Sequence, residues 1–395
     1  MLLSRMGRTY RVISGDSHLE VDSKAWIERV PAKYRDRAPR LTQLPDGSDA
    51  WLVEDQPPRT VASDLYGGKG RDVWRPFGQT YAATPGTGSP QQRLSEQDED
   101  GVDAEVLFPG ASGPRLWRNI RDDDAYKSVV RAYNDFLAED YCAVVPDRLI
   151  GIGVLPWTGV ADAITEMEHC ARSGLKGVSL GVFPNGGGHP TPEDDRFWAA
   201  ALDLNMPITI HVELNRASGP LLTYPGGTPD LIKAIGPRRE LTAEITKYAR
   251  SGGVNAGQLT LAGVFERFPA LRIFFAENQI GWIPLFLEMA DTRYERHSAW
   301  TEEVLGWQRL PKLPSEYIRE HCYWGFQLDT SGVELRHRIG VDRLIWASDF
   351  PHQESDWPES RSVLERNFAS VPEDERYRMV CGNVIDFFHL EGAAA

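Results

Sequence analysis

Eight short apolar runs, most of them followed by a helical pattern, constrain the fold of this chain more than any other feature. Strands that alternate with helices form parallel βαβ units, and eight such units predict a closed (β/α)8 barrel. The runs cover residues 10–16, 102–109, 149–156, 175–181, 207–213, 271–278, 322–329 and 342–349. A doubly wound open sheet is the competing architecture. No GxGxxG sequence follows a strand, which weakens its dinucleotide-binding form.

A Pro- and Gly-rich stretch after the first run has no sustained period from about residue 31 to residue 90. It is too long for an ordinary connection between elements. We therefore expect one barrel domain over residues 1–395, with an insertion at about 40–90 that caps the site. Its aromatic residues could line a pocket or a subunit interface, or pack beneath the long loop: Trp51, Tyr66, Trp74, Phe77 and Tyr81.

Composition and charge exclude several classes of protein. Hydrophobic residues make up 41% of the 395 residues and charged residues 25%, so the chain can bury a large core. The formal net charge of −14 argues against nucleic-acid and anionic-membrane partners. Four widely spaced cysteines form no CxxC pair, and neither a signal-peptide core nor a membrane-length apolar window occurs. We expect a soluble, cytoplasmic protein with reduced, buried thiols.

Polar side chains stand at the ends of several predicted strands. Because the active site of a (β/α)8 barrel lies at the carboxyl ends of its strands, these side chains should meet at one rim. They are found at the first, fifth, sixth and eighth runs: Asp16 and His18, His211 and Glu213, Glu277, and Asp349 and His352. The pattern predicts a shared site built from residues far apart in sequence.

The residue types at this rim favour a metal centre. Asp16 and His18 are two positions apart, so both point to the same side of a strand. A carboxylate that follows an apolar run, such as Asp349, is costly to bury unless it meets a cation or a hydrogen-bond donor. One metal ion would meet that need for several of these groups at once.

Four segments resemble the amidohydrolase-related family (the "amidohydrolase 2" group), which includes aminocarboxymuconate-semialdehyde decarboxylase and several aromatic-acid decarboxylases. They are VISGDSHLEVDSKAWIERVPAKYRDRAPRL, FAENQIGWIPLFLEMAD, IWASDFPH and CGNVIDFFHL. The resemblance implies a distorted (β/α)8 barrel with a divalent metal. The family's first-strand HxH or ExH pattern matches Asp16 and His18, its fifth-strand histidine His211, and its eighth-strand aspartate Asp349. The sixth-strand histidine, which assists proton transfer in the decarboxylases, is replaced here by Glu277.

The predicted metal ligands are three carboxylates and three imidazoles: Asp16, Glu277, Asp349, His18, His211 and His352. Mixed oxygen and nitrogen ligands suit zinc, manganese or iron. Six ligands exceed what one open catalytic ion needs, so a two-metal site is also considered.

The leading functional hypothesis is a metal-dependent enzyme that hydrolyses or decarboxylates a small carboxylated or cyclic organic substrate. A metal-activated water or a metal-bound substrate would react, with Asp349, Glu277 and His211 as the catalytic residues. Glu213 and Arg216 are the candidate substrate-binding residues, since arginine suits a carboxylate. One alternative is a dinuclear iron or iron–manganese oxygenase, and another is a catalytically silent partner subunit. The family resemblance also implies a homodimer or another homo-oligomer.

Overall fold

A sheet of parallel strands wrapped by helices forms the centre of the molecule. The computed structural model describes residues 8–61, 64–75, 78–110, 113–214 and 251–394. Within these residues, eight strands join one sheet in chain order: β1 (Ile13–Leu19), β2 (Ala104–Pro109), β3 (Leu149–Val154), β4 (Gly177–Leu180), β5 (Ile208–His211), β6 (Ile273–Ala276), β7 (Cys322–Phe326) and β8 (Leu344–Trp346). Each lies at one of the eight apolar runs. The predicted (β/α)8 barrel is confirmed.

The barrel closes where β1 meets the segment that follows β8. The backbone N–H of Asp349 donates to the Asp16 carbonyl at 2.9 Å, and the His18 N–H donates to the Phe350 carbonyl at 2.8 Å. The Ser14 hydroxyl accepts from the N–H of Ser348 at 2.8 Å. These bonds bring the polar ends of the first and last strands side by side.

Helices surround the sheet. The longer ones are Pro90–Asp100, Asp123–Phe136, Val160–Arg172, Asp195–Asp203, Ser251–Leu261, Ile283–Leu305, Pro314–His321 and Ser360–Asn367. Shorter ones are Gly113–Trp117, Val264–Arg267, Thr330–Glu334, Arg336–Ile339, Glu373–Tyr377 and Asn383–Phe388. Helix Asp123–Phe136 continues as a π-helical turn, Leu137–Tyr141, and a 3-10 turn, Cys142–Val144. In the described part of the chain, no helix is both long and apolar enough to cross a bilayer.

The barrel strands are buried on both faces, as parallel strands between helices should be. Every residue of β2 and β3 is buried. All four cysteines are free and buried, as the composition predicted. This continuous core makes the carboxyl ends of the strands a rigid platform for side chains.

The insertion contains more regular structure than its sequence indicated. Strands Arg40–Gln43, Asp49–Leu52 and Arg59–Thr60 form a three-stranded antiparallel sheet, and irregular segments follow. The N–H groups of Tyr66 and Gly67 both donate to the Pro351 carbonyl, at 3.1 and 2.9 Å. The insertion therefore packs against the segment after β8, next to the barrel mouth.

A buried carboxyl group joins two of the outer helices. Asp100, the last residue of Pro90–Asp100, accepts the N–H of Ser360 at 2.8 Å, at the start of Ser360–Asn367. Burial raises the pKa of Asp100 to about 6. The folded protein thus holds this proton more tightly than the unfolded chain, where an aspartate titrates near pH ~4. The stability that this tighter proton binding gives to the folded protein is complete below pH ~4, and it is lost as the pH rises through about 6.

Replacing Asp100 with Asn should therefore stabilise the protein in a pH-dependent way. An amide has no charge to desolvate, so Asp100→Asn should raise the free energy of unfolding at pH 8 by on the order of 2 kcal/mol. The gain should shrink between pH 6 and pH 4. Urea denaturation of both proteins across this range measures it. An equal difference at every pH would contradict the assigned role of burial.

Candidate metal centre

Four side chains from three strand ends converge at the mouth of the barrel. His18 Nε2 lies 3.5 Å from Asp16 Oδ1, 3.2 Å from Asp349 Oδ1 and 3.0 Å from His211 Nε2. His211 Nε2 lies 3.3 Å from Asp16 Oδ2. Asp16, His18 and Asp349 are at most 1% exposed. The structure thus brings together the residues predicted from the first, fifth and eighth runs.

The orientation of His18 is set by a backbone carbonyl. Its Nδ1 lies 2.8 Å from the oxygen of Pro109, at the end of β2. A carbonyl can only accept, so Nδ1 carries the hydrogen. Nε2 is then the nitrogen that faces the carboxylates. A histidine that donates from one nitrogen and offers the other is arranged as metal ligands are.

Unpaired buried oxygens show that a cation fits this cluster. Both carboxylate oxygens of Asp16 and Oδ1 of Asp349 are buried without a hydrogen-bond partner. Buried charges left in this way are strongly unfavourable. The ligand atoms of Asp16, His18 and His211 lie within 4.8 Å of one another, and so do those of His18, Asp349 and His352. A divalent ion would satisfy the oxygens and the imidazole lone pairs together.

The backbone is strained just after three of the barrel strands whose ends carry the site. Val212, Glu277 and Asp349 have φ values of 61°, 53° and 54°, in the left-handed region that residues other than glycine rarely adopt. They follow β5, β6 and β8 closely. Strain of this kind persists only where the surrounding structure holds it, and it is concentrated at functional sites.

The electrostatic potential of the cluster favours positive charge. Burial alone would lower the pKa of His211, but the carboxylates of Asp16 and Glu277 raise it above its usual value. Burial opposes the charged form of Asp349 as well, yet His352 and His18 hold the pKa of Asp349 well below its usual range. The carboxylate of Asp349 therefore remains ionised and attracts a cation.

His352 extends the cluster toward a residue that the sequence analysis missed. Its Nδ1 lies 3.3 Å from Asp349 Oδ1, and its ring stacks on that of His18 with centroids 3.8 Å apart. Its Nε2 lies 3.0 Å from Oε1 of Glu20, which is 2% exposed. Glu20 is the third residue of an alternating series with Asp16 and His18. That period-two spacing could have identified it.

The remaining predicted site residues are placed less centrally. Glu277 is buried, and its Oε2 lies 3.7 Å from His211 Nε2, at the edge of the cluster. Glu213 is half-buried in the loop after β5, two residues beyond His211, and belongs to neither ligand group. Arg216 and Phe77 lie outside the described residues.

Comparison with known proteins decides the family. A family model described as "Amidohydrolase" matches residues 16–390. This chain belongs to the amidohydrolase family. The gamma-resorcylate decarboxylase of Polaromonas sp. (strain JS666) is 24% identical over 318 aligned residues, and the alignment covers 76% of this chain and 87% of that relative.

Solved structures share the fold of this amidohydrolase. An amidohydrolase from Mycobacterium avium subsp. paratuberculosis K-10 superposes with a TM-score of 0.71 at 19% identity, over 96% of this chain and 99% of that one. A dihydroxybenzoic acid decarboxylase from Polaromonas sp. JS666, with bound manganese and 2-nitroresorcinol, gives a TM-score of 0.59 at 19% identity, over 98% of each chain. These findings confirm the predicted family and barrel. They fit the predicted metal-dependent hydrolase or carboxy-lyase and neither of the alternatives.

A buried arginine, also missed by the sequence analysis, fixes the backbone beneath two of the ligand-bearing segments. Arg93 donates from Nη1 to the His18 carbonyl at 3.0 Å and from Nη2 to the Phe350 carbonyl at 3.1 Å. Its Nε donates to Glu105 Oε2 at 2.6 Å, and Arg93 is 1% exposed. One guanidinium thus links β1 to the segment after β8, at the seam of the barrel.

Replacing Arg93 with Met should destabilise the amidohydrolase strongly. The change leaves Glu105 as an uncompensated buried charge, which typically costs about 3–5 kcal/mol. Arg29→Ala is the control, because Arg29 pairs with Glu139 and Asp140 at the surface and should contribute about 1 kcal/mol or less. Chemical denaturation measures both. Similar decreases in the free energy of unfolding for the two variants would show that the contact between β1 and the segment after β8 does not depend on Arg93.

Proposed function

We propose that this amidohydrolase is a divalent-metal-dependent carboxy-lyase that removes CO2 from a small hydroxylated aromatic carboxylic acid. One observation carries the metal dependence: the buried, unpaired oxygens of Asp16 and Asp349 face two imidazoles at the barrel mouth. The substrate class is supported by two relatives, a gamma-resorcylate decarboxylase and a dihydroxybenzoic acid decarboxylase.

The proposed ligands are Asp16, His18, His211 and Asp349, and His352, whose Nδ1 lies 3.3 Å from Asp349 Oδ1, is a fifth candidate. Mixed carboxylate and imidazole donors suit manganese, the ion in one of the related structures. When bound, a divalent ion would supply Lewis acidity toward a carboxylate and a neighbouring hydroxyl oxygen. The four side chains hold their positions through the barrel strands and the seam. The site is thus preorganised before substrate arrives.

Glu277 is the proposed proton donor. It stands at the edge of the cluster, where the family pattern has a histidine, and its carboxyl group is buried beside His211. The ring carbon takes the proton from Glu277, the C–C bond to the carboxylate breaks, its electron pair returns to the ring, and CO2 leaves. Water then returns a proton to Glu277. Positioned acids of this kind contribute about 10²–10⁴-fold to a rate.

Substrate contacts and assembly are further parts of the proposal. Arg216 is proposed to bind a substrate oxyanion and Glu213 a substrate hydroxyl, for their chemistry and their place just after β5. We infer a homodimer or another homo-oligomer. In support, helix Ile283–Leu305 exposes Leu285 and Met289 one turn apart. Residues 1–395 are proposed as one domain, acting in the cytoplasm, where free thiols such as these persist.

Decarboxylation can be tested directly with a panel of hydroxylated benzoic acids. Metal-free protein should be inactive, and adding Mn²⁺ should restore release of one CO2 per substrate consumed, without oxygen uptake. Gas analysis, chromatography and an oxygen electrode measure these quantities. Stoichiometric oxygen consumption with a hydroxylated product would contradict the proposal and favour an oxygenase.

Two substitutions should separate metal binding from proton transfer. Asp16→Asn removes a charged ligand, so Mn²⁺ binding and activity should both be lost. Glu277→Gln should retain bound Mn²⁺ while kcat falls by about 10²–10⁴-fold, because the amide cannot supply the proton. Elemental analysis and steady-state kinetics check both variants. Loss of Mn²⁺ from Glu277→Gln would make Glu277 a ligand instead.

A further inference from the structure

A chain of hydrogen bonds leads from the insertion into the metal centre. Tyr81 is buried in the insertion, and its hydroxyl donates to Glu20 Oε2 at 2.9 Å. Trp51 Nε1, which can only donate, lies 3.0 Å from the same hydroxyl oxygen. Since the Tyr81 hydroxyl accepts from Trp51, its own hydrogen is directed to Glu20.

Glu20 in turn fixes the tautomer of His352. A carboxylate accepts hydrogen bonds and does not donate them, so His352 Nε2, 3.0 Å from Glu20 Oε1, carries the hydrogen. In the neutral ring the lone pair is then on Nδ1, which lies 3.3 Å from Asp349 Oδ1. Nδ1 and this carboxylate oxygen can lie so close only with a proton or a metal ion between them. A carboxylate that holds a histidine in this way is typical of metal sites.

We propose that Trp51, Tyr81 and Glu20 are positioning residues that present His352 Nδ1 to the metal, so that the insertion is part of the metal centre. This inference rests on the proposed function, because it concerns the same divalent ion. It assigns a role to residues that touch neither the metal nor the substrate.

The surroundings of Glu20 and Tyr81 leave the hydrogen-bond chain little freedom. A Cβ atom added at Gly110, just beyond β2, would lie 2.6 Å from both carboxylate oxygens of Glu20. The Tyr81 N–H donates to Asp49 Oδ2 at 2.9 Å, which ties Tyr81 to strand Asp49–Leu52 of the insertion. Glu20 is thus held between the barrel and the insertion's sheet.

Tyr81→Phe tests the chain of hydrogen bonds, and Tyr10→Phe is its matched control. Tyr10 is also buried, and its hydroxyl donates to the Asp147 carbonyl at 2.7 Å, away from the metal centre. Tyr81→Phe removes two hydrogen bonds, one to Glu20 and one from Trp51, whereas Tyr10→Phe removes one, so Tyr81→Phe should show the larger decrease in Tm. Only Tyr81→Phe should weaken Mn²⁺ binding, by about 10–100-fold. It should also change the visible absorption spectrum of the Co²⁺-loaded protein, whereas Tyr10→Phe should not.

Gly110→Ala provides a second route if Tyr81→Phe does not fold. The added methyl group should displace the Glu20 carboxylate and weaken Mn²⁺ binding to a similar extent. Isothermal titration of metal-free protein with Mn²⁺ alone measures all affinities. If the wild type binds Mn²⁺ and the variants that fold bind it as tightly as Tyr10→Phe does, the inference is overturned while the proposed function stands. If the wild type itself binds no Mn²⁺, both are overturned.

Discussion

Burial of two carboxylates at the seam of the barrel is the constraint on which the rest of the site depends. Asp16 and Asp349 are almost completely buried, and three of their oxygens have no hydrogen-bond partner. Desolvating such charges costs several kcal/mol for each ion. The arrangement is stable only with positive charge at its centre. The backbone bond between Asp349 and Asp16 both closes the barrel and brings these charges together.

Two histidines face this negatively charged cluster, and each is oriented by a hydrogen bond from a different ring nitrogen. His18 donates from Nδ1 to a backbone carbonyl and offers Nε2. His352 donates from Nε2 to Glu20 and offers Nδ1. The first arrangement belongs to the barrel itself, whereas the second depends on side chains brought by the insertion. The barrel therefore supplies the basic metal centre, and the insertion adds the hydrogen bonds that orient His352.

The strands and much of the candidate site could be predicted because their signals are local. Apolar runs mark each barrel strand, and spacing places Asp16 and His18 on one side of β1. Arg93 and Tyr81 could not be found in this way, because they meet His18 and Glu20 across 75 and 61 residues of sequence. The helix Asp123–Phe136 continues through a π-helical turn, Leu137–Tyr141, and apolar periodicity does not distinguish such a turn from an α-helix. The strands of the insertion could not be predicted because they are only two to four residues long, too short to show a period of two.

The location of the metal tests the central claim most directly. Crystals of the protein loaded with Mn²⁺ can be measured at the manganese absorption edge to give an anomalous difference map. We predict a peak enclosed by Asp16, His18, His211 and Asp349 at the mouth of the barrel. A peak elsewhere, or full ordering of these side chains around water with no peak, would contradict the account.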